Sequence, residues 1–152
     1  MHANIDDIDK GLLELLQKNC RIPIGRIANR LGLPKSTVQY RIKRLEATGV
    51  IGGYHAQINP ERIGKDYTTI TFVRIKGGRK NVEKVGTLLA QILGVIGVYF
   101  VAGENDFVVI CISDNRENYL EKLDIMNSTK GIERTNTVVV MKTIKEELMI
   151  NL

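Results

Sequence analysis

The fold of the first part of the chain is decided by residues 24–49, which read IGRIANRLGLPKSTVQYRIKRLEATG. Apolar residues recur with helical spacing over residues 24–31, and Gly32 and Pro34 then interrupt the pattern. Glycine can close a helix in the left-handed conformation, and proline cannot continue one. A second helical pattern covers residues 35–48. Two short helices joined by a tight glycine-containing turn predict a helix-turn-helix.

The second of these helices has one apolar side and one polar side. At about 100° per residue, Val38, Ile42 and Leu45 form an apolar stripe. The opposite side carries hydroxyl, amide, phenol and cationic groups, which suit the base edges and phosphates of a DNA major groove. The alternative is the solvated outer face of a three-helix bundle. The residues that we expect to contact DNA are Lys35, Ser36, Thr37, Gln39, Tyr40, Arg41, Lys43 and Arg44.

The excess positive charge is confined to the same part of the chain. Residues 1–65 hold 11 Lys/Arg and 6 Asp/Glu, whereas residues 66–152 hold 11 of each. The stretch 18–44 contains eight cationic residues and no acidic one. A basic block beside a neutral block indicates a module that binds a polyanion, joined to a second domain.

The rest of the chain alternates between strand and helix patterns. A strand is predicted over residues 50–58, and Asn59-Pro60 ends it before a connector with a short turn. The later pattern predicts strands over 67–76, 95–102, 106–113 and 132–144, helices over 81–93 and after Asn115, and a tail over 145–152. The order β-α-β-β-α-β is that of the ferredoxin-like fold, with an antiparallel sheet in the strand order 4-1-3-2.

The predicted architecture is an α/β two-domain chain, in which an all-α winged helix-turn-helix precedes an α+β domain of ferredoxin-like βαββαβ order. We expect a helix-turn-helix domain over 1–52, a linker strand and connector over 53–66, and the ferredoxin-like domain over 67–152. Within that domain, residues 107–112 and 138–141 are continuous apolar runs, which predict a sheet buried on both faces. Because two helices can cover one face only, we expect a second copy of the chain on the other face.

Several short motifs follow one another in the order found in one protein family. They are residues 5–9 (IDDID), 30–33 (RLGL), 41–46 (RIKRLE), 49–51 (GVI), 102–107 (AGENDF) and 135–141 (TNTVVVM). With these motifs the chain resembles the Lrp/AsnC family, the leucine-responsive or feast/famine transcriptional regulators of bacteria and archaea. One departure is Pro34, which stands where many relatives have a capping Ser or Thr. The cap could instead fall on Ser36, or the helix could start at the proline.

The resemblance implies a sequence-specific regulator that binds double-stranded operator DNA as dimers, which often assemble into tetramers or octamers. It also implies that an amino acid binds the C-terminal domain at an interface between dimers and changes assembly or DNA affinity. The alternative function is an architectural protein that wraps DNA without an effector. We expect a cytoplasmic protein, because neither a membrane helix nor a secretory signal is recognisable in the sequence.

The resemblance places the effector site at one turn and the last strand, where the residue types suit a zwitterion. The ammonium of an amino acid needs a carboxylate, and its carboxylate needs backbone N–H groups, hydroxyls or a cation. An ordinary hairpin turn has the same composition, which is the alternative reading of these residues. The expected effector-binding residues are Gly103, Glu104, Asn105, Asp106, Thr135, Asn136 and Thr137.

Catalytic and metal-binding functions find no support in the sequence. The two cysteines and two histidines are widely scattered, which argues against a zinc site. Neither a paired nucleophile and base nor a nucleotide-binding loop can be recognised. We therefore expect no enzymatic activity, no metal and no cofactor besides the amino-acid effector.

Overall fold

The computed structural model describes residues 4–147 and 149–152, apart from the side chain of Arg79. The chain forms two compact units, one of residues 58–144 and one that combines residues up to 57 with residues 145–152. We expected the tail 145–152 in the second domain, but the structure groups it with the first unit. The physical reason is a pair of hydrogen bonds: the side-chain amide of Gln17 donates to the Ile150 carbonyl at 3.0 Å and accepts from the Ile150 N–H at 2.7 Å.

The first unit contains three helices, α1 (Asp7–Lys18), α2 (Ile24–Leu31) and α3 (Lys35–Ala47). Gly32 adopts a left-handed conformation with φ 64°, which closes α2 and lets the chain turn into α3. Pro34 occupies the N-cap position of α3 without a side-chain hydrogen bond, so the cap does not fall on Ser36. The predicted helix-turn-helix is therefore confirmed.

A small apolar core holds these three helices together. All three contribute side chains that are almost completely removed from solvent, and each buried Leu, Ile or Val side chain stabilises the fold by roughly 1.5–3 kcal/mol relative to exposure. The core residues are Leu12, Leu13, Leu16, Ile27, Ala28, Val38 and Leu45.

The prediction of a linker strand over residues 50–58 is wrong. None of these residues belongs to a strand, and residues 52–58 are all exposed. The Ile51 N–H instead donates to the Leu45 carbonyl at 3.1 Å and so closes the C-terminal end of α3. A strand needs a neighbour to satisfy its backbone groups, and the sheet offers none to this segment. The connector contains the expected turn, a 3₁₀ turn at Glu61–Ile63.

The second unit has the predicted βαββαβ order. Its sheet is antiparallel with the strand order β2-β3-β1-β4, which is the expected order counted from the opposite edge. The elements are β1 (Tyr67–Ile75), α4 (Val82–Ala90), β2 (Val95–Phe100), β3 (Phe107–Ser113), α5 (Arg116–Ser128) and β4 (Ile132–Val139), with a 3₁₀ turn at Gly78–Asn81 before α4. The predicted fold class is confirmed.

The last strand is shorter than the predicted 132–144. Thr69 of β1 pairs with Val139, and the Val140 N–H donates to the Thr68 carbonyl at 2.9 Å. Because β1 begins at Tyr67, β4 has no further partner beyond that point. The apolar run 138–141 therefore leaves the sheet after its first half, and Met141 is 92% exposed.

The two faces of the sheet differ in how they are covered. Both α4 and α5 pack on one face, where the strands place Val73, Ile75, Phe107 and Val109 in the core. The other face, which we call the open face, alternates with the first along each strand, and its apolar side chains are only half-buried or exposed. The open-face apolar residues include Ile70, Phe72, Tyr99, Val108, Ile110, Ile112 and Val138.

Candidate functional site

The polar side of α3 is exposed, as the helical pattern predicts. Val38 and Leu45 are buried in the core of the first unit, and Tyr40 on the opposite side is 68% exposed. Thr37 is half-buried at the edge of this surface. The exposed members of the expected DNA-binding set are Lys35, Ser36, Gln39, Tyr40 and Lys43, which we call the α3 polar face.

Arg41 and Arg44, which we also expected to contact DNA, are engaged within the first unit. Arg41 Nη1 donates to the carboxylates of Asp6 at 2.7 Å and Asp9 at 2.9 Å. Arg44 Nη2 also donates to Asp9, whose side chain is fully buried. The exposed fractions of the Arg41 and Arg44 side chains are 18% and 38%. These two cations therefore tie α3 to the start of α1.

The acidic end of this network belongs to the cap of α1. Asp6 is the N-cap residue, and its carboxylate accepts the Asp9 N–H at 2.8 Å, while the Asp9 carboxylate accepts the Asp6 N–H at 3.2 Å. The hydrogen bond from Arg41 holds the pKa of the Asp6 carboxyl below its ordinary value, and the Asp9 backbone N–H acts in the same direction. Two carboxylates thus serve both the helix cap and the contact with α3.

Four further cationic residues precede α3 in the sequence. Lys18 ends α1, Arg21 lies in the loop that follows, and Arg26 and Arg30 belong to α2. All four side chains are exposed. Exposed Lys and Arg side chains of this kind are suited to contacts with DNA phosphates, which give affinity without reading the base sequence.

The turn from Gly103 to Asp106 joins β2 to β3 and is fastened to β1. The Asp106 N–H donates to the Val73 carbonyl at 2.9 Å, and the Asp106 carboxylate accepts the Ile75 N–H at 2.8 Å. Asn105 is half-buried, whereas Glu104 is exposed. Asp106 therefore has a structural role in the turn in addition to any role toward a ligand.

Two arginines at this turn are functional candidates that sequence reasoning missed. Arg134 Nη2 donates to the Glu104 carboxylate at 2.6 Å, and Arg74 Nη1 donates to the Glu104 carbonyl at 3.0 Å. Arg74 and Arg134 are direct partners in the pairing of β1 with β4. A strand register would reveal their proximity, but neither residue lies in a motif.

The expected residues of β4 point to both faces of the sheet. Thr137 lies on the helix-covered face, where its hydroxyl hydrogen-bonds with those of Tyr119 at 2.6 Å and Thr71 at 3.1 Å. Thr135 is on the same side and donates to the Asn127 side chain at 2.8 Å. Asn136 alternates to the open face, opposite Phe72.

The turn and β4 lie on either side of Val73 in β1. This arrangement brings part of the expected effector set together. Val73 of β1 accepts the Asp106 N–H through its carbonyl and pairs with Thr135 on its other side. Thr137 pairs with Thr71, further along β1. The structure thus gathers the turn and Thr135 at one end of the sheet and leaves Thr137 under α5.

Comparison with known proteins identifies the family. Residues 5–51 match the family model for winged helix-turn-helix DNA-binding, and residues 68–150 match the model of the Lrp/AsnC ligand binding domain. The chain belongs to the Lrp/AsnC family. It is a DNA-binding transcriptional regulator of the Lrp/AsnC type, and that family is not one of enzymes.

Several relatives of this Lrp/AsnC regulator match it over almost their full length. The HTH-type transcriptional regulator FL11 of Pyrococcus furiosus is 36% identical over 146 residues, which are 96% of this chain and 95% of FL11. A feast or famine regulatory protein from M. tuberculosis, solved in complex with L-methionine, is 28% identical with a TM-score of 0.88 and coverages of 97% and 99%. AsnC of E. coli has a TM-score of 0.88 at 20% identity, with coverages of 97% and 99%, and shares the fold.

Two structural observations bear on other classes of protein. Among the described residues, no helix has the length and apolar character needed to cross a lipid bilayer. Within the same residues, no three His, Cys, Asp or Glu side chains are grouped so that they could hold a metal ion.

Proposed function

We propose that this Lrp/AsnC regulator binds specific DNA sequences through the α3 polar face and that an amino acid modulates its assembly or DNA affinity. The observation that carries the proposal is the exposure of a donor-rich helix face on a helix-turn-helix. Tyr40, Gln39 and Ser36 offer hydroxyl and amide groups to base edges, and Lys35 and Lys43 offer cations to phosphates. Thr37, Arg41 and Arg44 border this face and support it.

The amino-acid effector is proposed to bind at the turn of residues 103–106 and the neighbouring part of β4. Support comes from the relative in M. tuberculosis, which was solved with L-methionine. Glu104 is the more exposed acid of the turn and pairs with the exposed Arg134 side chain, whereas the half-buried Asp106 carboxylate accepts a backbone N–H. Gly103, Asn105, Thr135, Asn136 and Thr137 complete the proposed site. We place it at an interface between dimers, where a neighbouring subunit can close it.

The open face supports a dimer joined sheet to sheet. Its apolar side chains form a continuous surface across all four strands, and a contiguous apolar surface of this kind marks an interaction site. An identical sheet offers the matching surface under twofold symmetry. We propose that such dimers assemble further into tetramers or octamers.

The first experiment identifies the DNA and tests the α3 polar face. Selection from random duplex DNA with the full-length protein should yield an operator, and its affinity should fall steeply with salt because Lys and Arg side chains displace counterions. Lys43→Ala should weaken operator binding and reduce the salt slope by about 1. Lys84→Ala, an exposed lysine of α4, is the matched control and should change neither. Equal affinity for operator and random DNA at every salt concentration would favour the architectural alternative.

The second experiment identifies the effector by thermal unfolding of the full-length protein with each of the twenty amino acids. A ligand at 100 times its Kd adds about 2.7 kcal/mol if the unfolded chain does not bind it. For a chain of this size that corresponds to a Tm increase of roughly 5–10 °C. A shift with one or two amino acids would support the effector. A lack of any shift, with operator affinity also unchanged, would contradict it.

A further inference from the structure

Two arginines of α3 bind the same buried carboxylate, but they are buried to different degrees. Arg41 Nη1 donates to Asp6 at 2.7 Å and to Asp9 at 2.9 Å, and its side chain is 18% exposed. Arg44 Nη2 also donates to Asp9, and its side chain is 38% exposed. Arg41 therefore links both acids to α3 from within the unit, whereas Arg44 brings a second cation to the surface.

The guanidinium of Arg44 has donors that its contact with Asp9 does not use. Arginine carries five N–H donors in a planar fork. Among the described residues, the Arg44 side chain donates to the Asp9 carboxylate alone, through Nη2. In the same part of the chain, Thr69 Oγ1 is the only buried side-chain nitrogen or oxygen without a hydrogen-bond partner. The other nitrogens of Arg44 are therefore not buried, and they can donate to a group outside the protein.

Arg44 lies at the edge of the α3 polar face. At about 100° per residue, it is displaced by about 40° from Tyr40 around the helix, whereas Arg41 is displaced by about 100° toward the buried side. Tyr40 and Lys43 of the polar face are both exposed. A helix face that enters a DNA groove has the phosphate backbones along its sides, so the place of Arg44 suits a phosphate rather than a base edge.

We propose that Asp9 is a positioning residue for DNA binding, which holds Arg44 with its remaining N–H groups directed at a DNA phosphate beside the α3 polar face. Asp9 does not contact DNA itself, since its side chain is fully buried. Arg44 binds the Asp9 carboxylate and the phosphate at the same time, which the fork of an arginine allows and the compact ammonium of a lysine does not. This inference rests on the proposed function, because it assigns the group that fixes one DNA contact of α3.

The Asp9 carboxylate is itself held in place before DNA is bound. It accepts the Asp6 N–H at 3.2 Å within the cap of α1, and it accepts a hydrogen bond from Arg41. An arginine that is already ordered loses less conformational freedom on binding than one that moves freely in solvent. Asp9 should therefore raise the affinity for DNA, although its negative charge by itself repels phosphate.

Equilibrium binding at a series of salt concentrations tests the phosphate contact, with the full-length protein, the selected operator and a random duplex of the same length. Arg44→Gln should reduce the salt slope by about 1 and weaken binding to both duplexes by the same factor. Arg41→Gln removes a cation from the same network and should leave the salt slope unchanged. An unchanged slope in Arg44→Gln, or a loss of affinity confined to the operator, would overturn the phosphate contact.

Asp9→Asn tests the positioning role through the sign of its effect, with Asp7→Asn on the same helix as the matched control. The Asp7 side chain is 99% exposed, so its substitution removes the same charge and leaves the network intact. Relative to Asp7→Asn, Asp9→Asn should raise the Kd for both duplexes about 2–10-fold at an unchanged salt slope, because Arg44 stays charged but is no longer held. Circular dichroism at the binding temperature verifies that each variant is folded.

Arg44→Lys is a second variant that does not depend on the folding of Asp9→Asn, because Asp9 keeps its contact with Arg41. Its ammonium retains the charge but cannot bind the carboxylate and a phosphate in the fork geometry, so the Kd should again rise at an unchanged slope. Equal or tighter DNA binding by either variant would overturn the positioning role, while a reduced slope in Lys43→Ala would still support α3 as the DNA-binding helix. A wild-type affinity that depends on neither salt nor sequence would overturn the proposed function as well.

Discussion

Replacement of Asp9 by Ala should destabilise the first unit, because one buried carboxylate holds three partners there. Asp9 accepts hydrogen bonds from the Asp6 N–H, Arg41 and Arg44, and its side chain is fully buried. A hydrogen bond to a charged group contributes about 1.5–3 kcal/mol. The two arginines are partly exposed and can regain water, which reduces the loss. We therefore expect Asp9→Ala to cost about 2–4 kcal/mol, well above a surface substitution.

The matched control is Asp7→Ala on the same helix. The Asp7 side chain is 99% exposed, and its only ion pair in the described chain is with Lys10 at 3.3 Å. An exposed acid in the first turn of a helix contributes about 0.3–1 kcal/mol through the helix dipole. The comparison therefore separates the buried network from the general effect of removing a negative charge from α1.

Amide hydrogen exchange of the full-length protein is the measurement that resolves the effect by region. Protection in α1 and α3 should fall in Asp9→Ala, while the sheet of the second unit keeps its protection. In thermal unfolding, a loss of 2 kcal/mol in a domain of this size lowers Tm by about 8–16 °C. A loss below about 1 kcal/mol, no larger than that of Asp7→Ala, would refute the reasoning that this network holds α3.

Three further predictions follow from titratable and hydroxyl groups. Because Arg41 lowers the pKa of Asp6, the stability that Asp6 contributes is present above pH 3.8 and is lost as pH falls through the lower folded pKa. Thermal unfolding between neutral and acid pH should therefore depend less on pH in Asp6→Asn. Partial desolvation of the phenol, although the residue as a whole is exposed, and a hydrogen bond to Glu46 raise the pKa of Tyr54 to about 12, so ultraviolet titration should show a late phenol step that Tyr54→Phe removes. The stability linked to the neutral Tyr54 phenol should fall as pH rises from its ordinary pKa toward that value. Tyr119→Phe removes the hydroxyl shared by two threonines and should cost about 1 kcal/mol in urea unfolding.

Local patterns predicted the helices and strands because each depends on neighbours in the sequence. The stripe of Val38, Ile42 and Leu45 gave α3 within one residue of its observed end, and the breakers Gly32 and Pro34 gave the turn before it. The strand predicted over 50–58 was wrong because its apolar and aromatic composition says nothing about a pairing partner. A strand forms only where another strand accepts its backbone hydrogen bonds.

The α3 polar face likewise depends partly on neighbouring residues and partly on contacts between residues far apart in the sequence. Helical periodicity alone indicated that Tyr40 and Lys43 point outward, and both are exposed. It could not show that Arg41 and Arg44 meet acids more than thirty positions earlier, since that contact depends on how α3 packs against α1. Asp7 and Asp9 lie in the first turn of α1, where the helix dipole by itself favours acidic residues.

The turn of residues 103–106 shows this difference most clearly, because its two acids have different contacts that composition does not separate. Asp106 and Glu104 are equivalent carboxylates in the sequence, yet one accepts a backbone N–H of β1 and the other pairs with an exposed guanidinium. Only the register of β1 with β4 places Arg74 and Arg134 side by side, where both reach Glu104. A carboxylate fixed to the backbone can hold a turn, whereas a carboxylate on a screened ion pair can change partners. The two acids of this turn therefore differ in what fixes them, because the Asp106 carboxylate is held by the backbone of β1 and the Glu104 carboxylate by an exposed ion pair.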